Sequence, residues 1–112
     1  MVSVQQILIP PSATIMVRHS DLTVAERVEL VRLYRGDPTQ TAFAKRLGVS
    51  LGRLNNVLRG SPLGRDLAQK ICQSVPGLTP MWLWDGDSRG MPVELVDGLV
   101  ASEGRLNDNN VS

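Results

Sequence analysis

The sequence holds one cysteine, Cys72, and one histidine, His19, among 112 residues. A single cysteine excludes an internal disulfide, and no Cys/His cluster is present to hold zinc. Ala68 and Val75, at helical spacing from Cys72, mark it as a buried and inert thiol. His19 has no second ligand or carboxylate in a motif around it and reads as solvent-exposed. There is no phosphate-binding glycine loop, no HExxH and no Ser/His/Asp or Cys/His set, so neither an enzyme nor a cofactor is expected. No apolar run approaches the ~20 residues that a membrane span needs. The N-terminus, MVSVQQILIPPSATIMVRH, lacks a basic start followed by a long apolar stretch, so a cytoplasmic protein is expected. Aromatic residues are few, at 4%, which fits a helical chain of one domain with a modest core.

Charge is nearly balanced, at a formal +1, but it is not evenly spread. Between Gln40 and Cys72 the cations Lys45, Arg46, Arg53, Arg59, Arg65 and Lys70 face Asp66 alone. From Gln73 onward, Asp85, Asp87, Glu94, Asp97, Glu103 and Asp108 face only Arg89 and Arg105. A basic middle and an acidic end suit a protein that turns one face to phosphates; a solvated helical surface with incidental charge fits the same count.

Residues 1–20 show no helical period, and Pro10-Pro11 interrupts one, so they read as a flexible arm with an apolar patch at Ile7-Leu8-Ile9. Thr23 and Glu26 fit a capping box. The first helix then carries Val24, Val28, Val31 and Leu33 or Tyr34 to Gly36, with Arg27, Arg32 and Arg35 on or beside its polar side. Asp37-Pro38-Thr39 links it to the next helix. Ser61-Pro62 and Thr79-Pro80 each read as a cap followed by proline in a first helical turn. Leu63, Leu67, Ala68, Ile71 and Val75 line the first of these helices, and Trp82 and Leu83 of the second close the core, with Trp84 half-buried. Pro92–Val100 makes a last short helix, weakened by Gly98. Residues 101–112, polar and containing Asn107-Asp108-Asn109-Asn110, read as a disordered tail.

The stretch Gln40–Gly60, QTAFAKRLGVSLGRLNNVLRG, organises the rest. A helix to Leu47, a left-handed turn at Gly48, a cap at Ser50 and a second helix to Leu58 make a tight corner. Phe43, Leu47, Val49, Leu54, Val57 and Leu58 line its inside, and the small Ala44 allows a close crossing. This is the helix-turn-helix pattern. With Gln40 opening the first helix, it resembles the lambda-repressor and Cro type, often called the XRE family. The resemblance covers roughly Thr23 to Leu99. The segments VPGLTPMWLWDG and RGMPVELVDGL, and the pair Asn55-Asn56, are similar to those of small alphaproteobacterial and prophage-associated regulators of this kind. It implies an all-α, five-helix domain over residues 21–100, acting as a homodimer on double-stranded DNA.

On that reading the second helix of the corner offers Leu51, Gly52, Arg53, Asn55 and Asn56 to base edges. Arg53 suits guanine and an asparagine suits adenine, each with two hydrogen bonds. The resemblance implies that Gln40 sits on a phosphate, while Arg59, Ser61 and Arg65 reach the backbone around it. The first two exposed positions of this helix usually carry polar side chains in the family; here they are Leu51 and Gly52, which hydrogen-bond no base. A second class of function therefore stays open: a scaffold of this shape that binds a regulatory protein partner, as an antiactivator or antitoxin does.

Overall fold

The structure, a computed structural model, describes residues 19–111, with side chains as far as Leu106. The expected arm therefore lies outside the described residues except for its last two positions. Every regular element described is helical: a 3-10 turn, His19–Asp21, then α1 (Val24–Arg35), α2 (Gln40–Leu47), α3 (Leu51–Leu58), α4 (Arg65–Ser74), α5 (Pro80–Asp85) and α6 (Val93–Val111). Among the described residues there are six α-helices, one more than the resemblance implies and the same six segments that capping and periodicity mark out.

Local chemistry sets most of the boundaries. The Thr23 hydroxyl accepts from the Glu26 N–H while the Glu26 carboxylate accepts from the Thr23 N–H, so both halves of the capping box are made. Thr39 and Ser50 cap α2 and α3 by the first of these bonds alone, accepting from Ala42 and Arg53 N–H. Gly48 ends α2 at φ 74°, a conformation costly for a side-chain-bearing residue. Thr79 caps α5, whose second residue follows a proline at the harmless first position. The Ser61-Pro62 expectation fails. Residues 61–64 stay outside any helix, and α4 opens at Arg65 behind Gly64, with no side-chain cap. Leu63 is still buried, but from this linker.

The core gathers Leu30 and Val31 of α1, Phe43 of α2, Leu54 of α3, Leu67 and Ile71 of α4, Trp82 of α5 and Leu99 of α6, all nearly inaccessible. A side chain of this size contributes about 1.5–3 kcal/mol on full burial. α6 packs along α1 and differs most from expectation. It runs on through the residues read as a disordered tail, and Ser102 and Leu106 are buried within it. Gly98 is no weak point: a Cβ there would stand 2.4 Å from Cε1 of Tyr34, so glycine lets α6 lie against that ring.

Three polar residues also depart from the sequence reading. Arg27 and Arg32 are buried, at 3% and 6% exposure, rather than lying on a polar face. Arg27 donates from Nε to the Leu83 carbonyl, from Nη1 to those of His19 and Leu22, and from Nη2 to that of Trp84. Two of these acceptors belong to the last turn of α5, where helix carbonyls lack partners and the dipole favours a cation. His19 is buried rather than exposed: its Nδ1 accepts from the Trp82 indole N–H at 2.9 Å, and its Nε2 stands 3.0 Å from Oε2 of Glu103. Periodicity marks which helix face is apolar but not which long polar side chain crosses it to reach carbonyls.

Candidate functional site

α2, the link Gly48-Val49-Ser50 and α3 form the corner that the sequence reading centred on. Its inner side is fixed by Phe43, Ala44 and Leu47 of α2 and by Leu54 and Val57 of α3, each at most 6% exposed. Gly48 N–H donates to the Lys45 carbonyl and Val49 N–H to that of Ala44, so the link itself is hydrogen-bonded. With Leu54 and Val57 facing in, helical geometry turns the remaining residues of α3 outward.

The structure exposes Leu51, Gly52, Arg53 and Asn56 on this outer side, whereas Asn55 is half-buried. Of the two asparagines, Asn56 thus has the freer amide. Leu51 keeps 37% of its surface, an apolar group among polar neighbours. The Arg53 guanidinium is not free: Nη2 donates to Oδ2 of Asp66 in the first turn of α4, at 2.8 Å. Arg53 holds the Asp66 carboxyl below its usual range.

Around this helix the cations divide in two. Arg46 grips the buried Asp37 with Nε and Nη2, at 2.8 Å to each carboxylate oxygen. That contact raises its pKa and ties α2 to the α1–α2 link. Asp37 in turn accepts at its carbonyl from Arg32 Nη1, and Arg32 also holds Glu29. Arg46 therefore belongs to the scaffold. Lys45, Arg59 and Arg65 are exposed and make no ion pair among the described residues.

The four residues expected at phosphates are scattered around α3. Arg59 is the residue that ends α3, Ser61 is exposed in the linker, and Arg65 is the first residue of α4. Gln40 opens α2, half-buried, with Nε2 3.5 Å from Oε2 of Glu29. The tip of α6 reaches the same end of the corner: Leu106 lines a depression of about 190 Å³ with Ala25, Glu29, Gln40 and Leu58.

Two groups that bear on reactivity lie elsewhere. Cys72 is half-buried and its thiol is pushed up to about 11 by burial, which keeps it protonated and unreactive near neutral pH. Trp84 donates its indole N–H to the Leu63 carbonyl, and Trp82 is fully buried, so both tryptophans serve the core. Among the described residues no three His, Cys, Asp or Glu side chains are grouped to hold a metal, and no helix is long and apolar enough to cross a membrane. The sequence reading missed Asp66 as part of this site. Its one clue was being the sole acid between Gln40 and Cys72. No family model, curated protein or solved structure matches the chain.

Proposed function

We propose that the chain is a sequence-specific DNA-binding transcriptional regulator of the helix-turn-helix, lambda-repressor-like kind, with α3 as the helix that enters the major groove. One observation carries the reading. α3 is locked by Leu54 and Val57 while Leu51, Gly52, Arg53 and Asn56 face outward, and Lys45 of α2, Arg59 at the end of α3 and Arg65 at the start of α4 are exposed and in no ion pair among the described residues. Such a helix suits base edges, and cations at its rim suit phosphates. Leu51 supplies an apolar contact for a thymine methyl, Arg53 a fork for guanine and Asn56 an amide for adenine. Asn55, half-buried, is the lesser contributor. Gln40, Ser61, Arg59 and Arg65 set position on the backbone. A homodimer would read a two-fold site with half-sites one helical turn apart.

Selection from random duplexes, followed by gel shifts across a salt series, tests this. Binding should weaken linearly in log salt. Arg59→Ala and Arg65→Ala should weaken binding to all duplexes alike and flatten the slope by about one unit each. Arg53→Ala and Asn56→Ala should each relax preference at one base pair per half-site, where a lost bidentate contact is worth about 1–3 kcal/mol. Absence of duplex affinity at low salt sinks the reading.

The alternative is a helix-turn-helix scaffold that acts through a regulatory protein partner. A specific feature favours it: a groove of about 500 Å³ between the start of α1 and the α3–α4 linker, walled by Val24, Val57, Leu58, Pro62 and Leu63. Under that reading, a pull-down recovers a stoichiometric partner, and changes at Arg59 and Arg65 have little effect.

A further inference from the structure

The Arg53–Asp66 contact joins two helices across thirteen residues of sequence. Both side chains are open to water, at 45% and 67% exposure, so the pair adds little to folding. Its interest is where it sits. Arg53 is the one cation on the outer side of α3, and Asp66 is the one carboxylate between Gln40 and Cys72. A carboxylate beside a surface meant for phosphates weakens binding by repulsion, so its place against this guanidinium calls for a local explanation.

The contact is single. Among the described residues Nη2 to Asp66 is the only hydrogen bond of the Arg53 guanidinium, which leaves Nε and Nη1 without a protein acceptor. A guanidinium has five N–H donors in a rigid plane, so one carboxylate hydrogen bond leaves enough for a two-point contact with a base edge. What the contact removes is freedom. A free arginine loses rotamer entropy when binding immobilises its long side chain. An arginine already held from α4 has lost part of that freedom beforehand.

We propose that Asp66 is a positioning residue that orients Arg53 for guanine, trading overall affinity for discrimination at one base pair per half-site. The inference rests on the DNA-binding reading of α3. The carboxylate subtracts from attraction to every duplex alike through its charge. It adds to the preference for guanine because only a correctly placed base meets the held fork.

The test is a cycle of Asp66→Asn, Arg53→Ala and the double variant in the full chain, with selected sites and base preference read position by position. Asp66→Asn should bind random duplex more tightly at low salt. It should also lose about three- to tenfold of the preference at a single base pair, the one that Arg53→Ala relaxes. In the Arg53→Ala background Asp66→Asn should leave every preference unchanged. Asp66→Glu, which keeps the charge on a longer arm, should restore part of the lost preference. The proposal is overturned if Asp66→Asn keeps or sharpens the wild-type preference, or alters base pairs that Arg53→Ala does not. Wild type that binds no duplex at all overturns the reading of α3 itself, and the positioning role with it; wild type that selects a site indifferent to Asp66 overturns the positioning role alone.

Discussion

His19 shows how a single side chain acquires its properties from partners far along the chain. Its Nδ1 accepts from the Trp82 N–H, and an indole nitrogen only donates, so the proton of the neutral ring is on Nε2, facing Glu103. A second proton would have to displace the Trp82 bond. Burial, and then the charge of Arg27, lower the imidazole pKa below 6.5. Burial raises that of Glu103 above 4.5. For His19 the unfolded chain takes the proton first as pH falls. Its contribution is therefore complete above about pH 6.5 and declines below that until the folded value is passed. Glu103 has the opposite sign: the folded state keeps its proton longer, so stability falls with rising pH in a window that begins near 4.5. Urea unfolding should thus show wild type losing stability as pH drops just below 6.5, and His19→Gln should remove that drop. An equal drop in both proteins would assign it to other groups.

At the scale of elements, the α1–α6 contact is set by one glycine. Gly98 stands where any Cβ would meet the Tyr34 ring at 2.4 Å, although that ring is still 37% exposed. Gly98→Ala therefore forces the ring or the helix to shift, at a cost of about 1–3 kcal/mol from overpacking. Once Tyr34→Ala has removed the ring, the same change should stabilise, because alanine exceeds glycine by about 1 kcal/mol inside a helix. Chemical denaturation of the four proteins measures the coupling. Additive effects would show that the two helices do not meet at this point. The corner differs in kind: the Gly48 turn and the Ser50 cap are each made with backbone no more than four residues away.

In the whole molecule α6 is the closing element. It begins beyond α5, crosses α1 at Gly98 and places Leu106 beside Leu58 and Gln40 at the far end. On the way Glu103 Oε2 comes within 3.0 Å of His19 Nε2, so α6 passes beside the start of the described chain. Deleting residues 101–112 should therefore destabilise the protein by about 2–4 kcal/mol, chiefly through loss of the buried Leu106. A dispensable tail would leave the urea midpoint where it was. The charge polarity also takes its final form at this scale. Arg46 is taken up by Asp37 and Arg53 by Asp66, which leaves Lys45, Arg59, Arg65 and the half-buried Lys70 as the cations of this stretch in no ion pair among the described residues.

The sequence by itself determined whatever depends on neighbours within one or two turns. Thr23 with Glu26, Thr39, Ser50 and Thr79 announced four helix starts, and Gly48 announced the corner, because a cap or a left-handed turn is satisfied by backbone a few residues away. The inward face of α3 was legible from Leu54 and Val57 for the same reason. Only the tertiary structure decided the rest. α6 outran its expected end because Leu95, Leu99 and Leu106 fall at spacings of four and seven, but polar residues between them hide the stripe until α1 is there to cover it. Arg27 leaves the polar face of α1 because its long side chain crosses to carbonyls of residues fifty-six and fifty-seven positions away. Which cations remain free depends on Asp37 and Asp66, whose partners are chosen by the packing of α1, α2, α3 and α4 and not by their distance along the chain.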